Sequence, residues 1–383
     1  MTHPDFLIEA ALGKVWDALP DARVVGGAVR DTLAARPVAD VDLATPNAPA
    51  AVIEALEAAG VKVVPTGLAH GTVTAVVDGR GFEVTTLRRD IKTDGRHAVV
   101  DFTADWRQDA SRRDFTINAM SMARDGEVFD YFEGTADLAA GRIRFVGDPA
   151  TRIAEDYLRI LRFFRFHARF GRLAPDPNTT GALRAGIPGI ARLSIERIWN
   201  ELRRILAAPD PSEAIGLMHD LGIWGAVLPE AQAVSRLAGL PADPILRLAA
   251  MLTGDALEMA TRLKMSNEDR DRLLRLVATP SAAGPDAALR RLLADHAAAD
   301  LIDRTWLDGD ADGRRRLSGM PRPVFALEGR HVVALGIPAG PAVGALLRRV
   351  RQWWLDGGCV ADPAACLAEL ARMAKLSDMD AKR

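Results

Sequence analysis

Val24-Val25-Gly26-Gly27-Ala28-Val29-Arg30-Asp31, with Asp40-Val41-Asp42 nine residues further on, is the stretch that decides the fold. An apolar pair runs into two glycines, which turn the chain sharply and let a phosphate approach the backbone N–H groups. Ala28-Val29-Arg30 then reads as the start of a helix, whose first N–H groups favour anions. Val38 to Leu43 reads as a short strand, on which side chains alternate, so Asp40 and Asp42 share a face. Two carboxylates side by side repel unless a cation lies between them, and hard carboxylate oxygens suit Mg²⁺. A phosphate cradle beside a Mg²⁺ pair is what nucleotidyl transfer requires.

Three further segments follow in order: Arg112-Arg113-Asp114-Phe115-Thr116-Ile117-Asn118-Ala119-Met120, Glu155-Asp156-Tyr157-Leu158-Arg159-Ile160-Leu161-Arg162, and Ser194-Ile195-Glu196-Arg197-Ile198-Trp199-Asn200-Glu201-Leu202. Together with the glycine turn and the paired aspartates, they resemble the class II tRNA nucleotidyltransferases (CCA-adding enzymes) and the bacterial poly(A) polymerases. Leu327 to Leu347 resembles a tail segment of the bacterial enzymes, whereas 215–320 is similar only diffusely. The resemblance implies an α+β head of the DNA polymerase β-like nucleotidyltransferase type, followed by an all-α neck, body and tail. The expected divisions are a catalytic head over 1–147, a neck with the nucleobase-reading helix over 148–208, an RNA-binding body over 209–310 and an RNA-binding tail over 311–383.

The resemblance also implies roles. Asp40 and Asp42 would hold Mg²⁺, and Glu83, in Phe82-Glu83-Val84-Thr85-Thr86, is the candidate third carboxylate. Gly26 and Gly27 would open N–H groups to a triphosphate, with Arg30 over the same anion. Arg113 and Asp114 would contact the ribose, and Asn118 belongs to the same segment. Asp156 and Arg159, three apart on one expected helix face, would read the Watson–Crick edge of CTP or ATP, with Arg162 one turn on. Arg165 and Arg169 are the candidate RNA contacts. Leu87 to His97 is charged and poor in apolar residues, so a mobile loop is expected, similar to the flexible loop of complete CCA-adding enzymes.

Composition sets the outer limits. The chain has 383 residues, 49% hydrophobic, enough for several cores, with a net charge of −2. No apolar run reaches the roughly 20 residues of a membrane span. The first residues lack the pattern of an export signal, and the two cysteines, Cys359 and Cys366, have no zinc spacing, so a cytoplasmic location is expected. Local charge says more than net charge. Arg142 to Arg172 holds eight arginines against Asp148, Glu155 and Asp156, the footprint of a phosphate-rich partner.

Strand signals fill the first part of the chain: Val61–Val64, Gly71–Val77, Gly81–Thr86 and Glu127–Tyr131, with a helix over Ala48–Ala59 between them and the aspartates. Beyond Pro149 the chain reads as helices, among them Ile153–Phe170 and Ser194–Ala207, the latter with Ser194 as cap and Arg197 paired to Glu201. Further helical segments fall near 212–226, 245–252, 255–264, 267–277, 286–300 and 340–356. The activity expected is template-independent transfer of CMP, CMP and AMP from CTP and ATP to the tRNA 3′ end, with no membrane partner. Addition of A alone or poly(A) synthesis on the same scaffold, and a non-catalytic RNA-binding protein, stay open, as does the oligomeric state.

Overall fold

The computed structural model describes residues 4–93 and 98–381. The first part is a mixed seven-stranded sheet in the order β3-β4-β5-β2-β1-β8-β9. Its strands are β1 (Arg23–Val25), β2 (Leu43–Thr45), β3 (Lys62–Gly67), β4 (Thr72–Val77), β5 (Arg80–Thr86), β8 (Ser121–Met122) and β9 (Val128–Phe129). A separate ribbon pairs β6 (Arg88–Thr93) with β7 (Ala98–Phe102). All pairings are antiparallel except β2 with β5, where Leu43 lies beside Val84. Val24, Leu43, Val73, Ala75, Phe82 and Val84 are buried, and α1 (Ala10–Ala18) contributes Leu12 and Trp16. Alternation along β4 and β5 is what makes one face of each apolar.

Two sequence expectations fail here for local reasons. Val38–Leu43 is not a strand: pairing begins at Leu43, and Asp40 and Asp42 lie in the irregular segment before it. The cause is the shortness of β1. Gly26 takes φ +66°, which turns the chain away after Val25 into α2 (Gly27–Leu33). The last ladder bond is Val25 N–H to the Asp42 carbonyl, 2.9 Å, so nothing remains for residues 38–41 to pair with. Likewise, the expected loop over Leu87–His97 is largely strand β6, paired with β7 from Arg88↔Phe102 to Thr93↔Ala98 with a one-residue register shift between Asp90 and Lys92. Residues 94–97, including His97, lie outside the described residues.

Between sheet and helices, α4 (Trp106–Ser111) and α5 (Gly134–Ala140) flank the Arg112–Met120 segment, with α3 (Pro49–Ala58) earlier in the chain. The expected single helix over Ile153–Phe170 is two. The first, α6 (Pro149–Glu155), has Pro149 in its first turn and Asp148 accepting from the Thr151 N–H at 2.8 Å. It stops at Asp156, whose backbone is extended, and α7 runs over Leu158–Phe170. Asp156 turns the chain by accepting from Leu158 N–H with its side chain, 3.1 Å, and from Arg159 N–H with its carbonyl, 3.0 Å. The Tyr157 ring packs where a Cβ on Gly189 would come within 2.0 Å of it, in the short helix α9 (Ile187–Ile190) that follows α8 (Pro177–Ala185).

Helix α7 buries Leu158, Ile160, Leu161, Phe163, Phe164, Phe166, His167 and Phe170. Its rings join Phe115 and Phe145, whose centroids are 4.8 Å apart, and α10 (Ile195–Leu206) packs on it. Ser194 stands at the cap position of α10 but makes no capping bond with its side chain.

The chain divides into two compact units, residues to Ala238 with Arg262–Lys264, and Gly239–Thr261 with Met265 onward. The second is helical, with helices including Asn267–Ala278, Asp286–Asp295, Ala298–Asp308, Pro341–Asp356 and Pro363–Ala381. Leu289, Leu293, Leu301 and Leu317 form one of its cores, and Val332, Val350, Trp354, Cys366 and Leu370 another. Cys359 and Cys366 are free and buried. Among the described residues no helix is long and apolar enough to cross a membrane.

His167 gives a pH test of this packing. It is buried, stacks on Phe163 at 5.8 Å, and its Nδ1 has no hydrogen-bond partner. Burial pushes its pKa below the ordinary histidine value, with the charge of Glu213 opposing. The unfolded chain therefore binds the extra proton first. This contribution to stability is complete above about pH 6.5 and falls by up to about 1.4 kcal/mol per pH unit as acid is added below that. Urea unfolding of wild type and His167→Phe between pH 5 and 8 checks it: the mutant should lack this fall.

Candidate active site

Arg30, Asn118, Asp114 and Arg162 form one connected line. Asp114 is 8% exposed. Its Oδ1 accepts from the Phe115 N–H at 2.9 Å and from Asn118 Nδ2 at 3.0 Å, and its Oδ2 from Arg162 Nε at 2.6 Å. Burial alone would raise its pKa, but the Arg162 charge and these donors hold it below the ordinary carboxylate range. Asn118 Oδ1 in turn accepts from Arg30 Nη1 at 2.6 Å, and Arg30 also pairs with Asp31 at 2.9 Å. Asn118 thus joins the cation of α2 to the anion at the foot of α7. Its amide does so by offering one donor and one acceptor.

A second anion, Asp109 of α4, is also buried. It accepts from Arg112 Nε at 2.8 Å, Arg113 Nη2 at 3.3 Å and the Arg88 N–H at 3.2 Å, which ties the start of β6 to the same place. Burial would raise Asp109, and the charges of Arg113 and Arg112 overcome it, holding it low. Burial, with the neighbouring Arg113 and Arg88 charges, pushes Arg112 down to about 10, still protonated at neutral pH.

These groups wall a cavity of about 610 Å³ lined by Gly26, Gly27, Asp114, Asn118, Asp156, Leu158, Phe166 and eight arginines: 30, 88, 112, 113, 159, 162, 165 and 197. A Cβ on Gly26 would lie 3.7 Å from Arg113, and one on Gly27 3.6 Å from Arg30, so the glycine pair leaves room between the two cations. Eight guanidiniums face two carboxylates in the lining; Asp31, Asp109, Glu155 and Glu201 pair with five of them from behind it, and the positive excess that remains suits an anionic ligand.

The structure brings together Gly26, Gly27, Arg30, Arg113, Asp114, Asn118, Asp156, Arg159, Arg162 and Arg165, but with partners the sequence did not indicate. The Gly26 N–H is already given to the Met120 carbonyl at 3.3 Å. Asp156 and Arg159 do not share a helix face, because Asp156 sits in the break. Asp156 instead accepts from Arg197 at 2.7 Å, and Arg159 donates to the Arg152 carbonyl at 2.7 Å and pairs with Glu155. Arg197 therefore does not take Glu201 as its expected partner. Glu201 accepts from Arg165 at 3.1 Å. Arg165 and Arg169 do not act as one stripe: Arg165 is in the cavity wall, whereas Arg169 is exposed and borders a different, 970 Å³ cavity with Thr32, Arg36 and Phe170. The cavity residues missed from the sequence are Arg88, Arg112, Leu158, Phe166 and Arg197. Arg112 and Arg197 stand inside the quoted segments, so proximity in the chain was their signal.

Asp40, Asp42 and Glu83 lie outside this lining. The parallel β2–β5 register sets Leu43 beside Val84 and so brings Asp42 next to Glu83. Desolvation by the surrounding chain, then the negative charges of Glu83 and Asp40, hold the Asp42 carboxyl above its ordinary range, with Arg113 opposing, although its side chain still reaches solvent. Among the described residues no three His, Cys, Asp or Glu side chains converge closely enough to bind a metal by themselves. Mutually repelling carboxylates of hard oxygen character do fit a divalent cation that keeps waters and substrate phosphates as its other ligands.

Residues 22–144 match the model of the poly A polymerase head domain, and 172–234 match that of the probable RNA and SrmB-binding site of polymerase A. The mitochondrial CCA tRNA nucleotidyltransferase 1 of Mus musculus is 37% identical over 88% of this chain and 83% of its own length. The CCA-adding enzyme of Lacticaseibacillus paracasei is 29% identical over 92% of both chains. The crystal structure of the Bacillus stearothermophilus CCA-adding enzyme in complex with CTP superposes with a TM-score of 0.73 at 25% identity, covering 97% of this chain and all of that one. A polymerase-type head carrying an arginine-lined pocket and helical RNA-binding segments defines a nucleotidyltransferase. The chain belongs to the CCA tRNA nucleotidyltransferase family, whose enzymes generally use a divalent metal.

Removing the buried Asp114 carboxylate leaves Arg162 and Asn118 without their shared acceptor. Asp114→Ala should lower stability by about 3–5 kcal/mol, the usual cost of breaking a buried pair from one side. Denaturant unfolding measures it, and a loss under about 1 kcal/mol would mean that solvent replaces the carboxylate.

Proposed function

We propose that this chain rebuilds the 3′ end of tRNA, adding CMP twice and then AMP from CTP and ATP and releasing pyrophosphate. The observation that carries this reading is the arginine-lined cavity whose wall Asp156 and Arg159 share with Arg113 and Asp114. Its charge suits a triphosphate, and its protein donors and acceptors stand in for a template. The family of the relatives supports the tRNA end as acceptor. In this reading residues 1–147 are the catalytic head, 148–208 the neck, and 209–310 and 311–383 the RNA-gripping body and tail.

Arg30, Arg112, Arg113 and Arg162 take the triphosphate between them, and the side-chain-free face of Gly26 and Gly27 lets it lie close to the backbone. Arg113 and Asp114 contact the ribose, and recognition of the 2′-hydroxyl favours ribonucleotides. Arg159 donates to the base edge, and Asp156, oriented by Arg197, accepts from the exocyclic amino group that cytosine and adenine share. Arg165 in the cavity wall and the exposed Arg169 meet phosphates of the tRNA. Asp40 and Asp42, with Glu83 beside them, would hold Mg²⁺, which when bound offsets charge on the triphosphate and eases loss of the 3′-hydroxyl proton. A reducing compartment such as the cytoplasm suits the two free cysteines.

The deciding experiment is incubation with tRNA lacking its terminal CCA, with CTP, ATP and both, followed by sequencing of the products. CCA ends support the reading; A-only or poly(A) ends would replace it, and no addition would leave an RNA-binding protein. Asp40→Ala and Asp42→Ala should each lower kcat by several orders of magnitude while tRNA affinity stays within a few-fold. Asp156→Ala should shrink the CTP:UTP preference by roughly ten- to a hundred-fold, read as the ratio of kcat/KM values, because UTP carries a carbonyl where the other two carry the amino group.

A further inference from the structure

Arg152 of α6 is buried and does not line the nucleotide cavity, yet it touches both halves of that cavity's wall. Its Nη2 donates to the Arg112 carbonyl at 2.5 Å and to the Arg113 carbonyl at 2.6 Å. Its Nη1 donates to both oxygens of Glu155, at 3.0 and 2.7 Å. Its own carbonyl accepts from Arg159 Nη1 at 2.7 Å, and Glu155 pairs with Arg159 as well. One guanidinium therefore fixes the backbone carrying Arg112, Arg113 and Asp114, and through Glu155 and its own carbonyl fixes Arg159. These two arms come from different elements, the end of α4 and the α6–α7 break.

We infer that Arg152 is a positioning residue that sets the spacing between the sugar-side and base-side arms, and so determines selectivity at both ends of the nucleotide. The inference rests on the reading of the cavity given under Proposed function. The geometry demands a guanidinium. Its planar fork directs separate N–H groups at two neighbouring carbonyls and a carboxylate, whereas an ammonium is a point donor on a flexible stem. The buried setting also matters. Burial and the neighbouring Arg159 charge lower the pKa of Arg152, with Glu155 opposing, so the carbonyls and Glu155 are what make a charged group tolerable here.

A residue that spaces two arms has a signature that neither arm has alone. Of the two preferences, changing Asp156 alters the choice of base and changing Arg113 the choice of sugar, whatever either does to overall affinity; changing Arg152 alters both. The test is kcat/KM for CTP, UTP and dCTP on tRNA lacking its terminal CCA, in wild type, Arg152→Ala and Arg152→Lys, with equilibrium binding of the same three nucleotides and of tRNA. The expected result is a fall of about tenfold or more in both the CTP:UTP and the CTP:dCTP preference in Arg152→Ala, with tRNA affinity within twofold. A few millimolar guanidinium should restore part of both ratios in that variant. An equal loss for all three nucleotides with both ratios intact would overturn the inference, as would a change in one ratio only. If Arg152→Ala does not fold, Arg152→Lys decides by the same two ratios. If wild type adds neither C nor A, the activity reading fails, and the two ratios are then taken from nucleotide binding alone.

Discussion

A single buried carboxylate, Asp114, is what the arginine-lined cavity is built around. An anion so deep in protein is costly unless charged and hydrogen-bonding partners meet it. Here they come from separate parts of the chain: the backbone and Asn118 of its own segment, and Arg162 from the neck helix. Asn118 carries the link on to Arg30. One ion thus fastens the glycine-turn helix, the Arg112–Met120 segment and α7 to one another. Asp109 plays a matching part for Arg112, Arg113 and the start of β6. With the carboxylates spent in this way on holding the walls, the cavity itself is left strongly cationic.

Burial in the wall, with neighbouring arginine charges adding to it, lowers the proton affinity of Arg112 and Arg165, both to about 10. Next to them the opposite imbalance exists around Asp42, where Glu83 and Asp40 crowd one carboxyl. In the proposed reading a triphosphate and a divalent cation would correct both together, each supplying the charge that one region lacks. Neither is expected to bind well without the other.

Much of this was legible in the sequence, because it depends on local chemistry. The glycine turn and the alternating strands β4 and β5 follow from backbone preference and period, and Pro149 marks where the helical part begins. What was not legible depends on a partner elsewhere in the chain. Val38–Leu43 has the composition of a strand, but β1 is too short to pair with it. Ile153, Ile160 and Leu161 keep a helical rhythm across Asp156, so periodicity runs over a break made by an aspartate side chain and the Tyr157 ring against Gly189. Ten of the fifteen residues lining the arginine-rich cavity were singled out from the sequence, but not whom they touch. Arg197 sits one helical turn from Glu201 and instead crosses to Asp156, and Arg165 takes Glu201 in its place. Ion-pair choice is tertiary, and a helical spacing rule worth a few tenths of a kcal/mol does not decide it.

The parallel register of β2 and β5 carries a consequence for how this chain can vary in length. Glu83 reaches Asp42 only because Val84 lies beside Leu43 and side chains alternate about every strand. Parity is therefore conserved where length is not. Extra residues in the Asp78–Gly79 turn or beyond α3 leave the two carboxylates together. One residue added within β5 after Glu83, with Thr85 and Thr86 kept in place, would swing Glu83 to the other face of the sheet and bring Phe82 out of the core. Insertions and deletions among natural or engineered forms of this head should accordingly collect in its turns and come in pairs, if at all, within that strand.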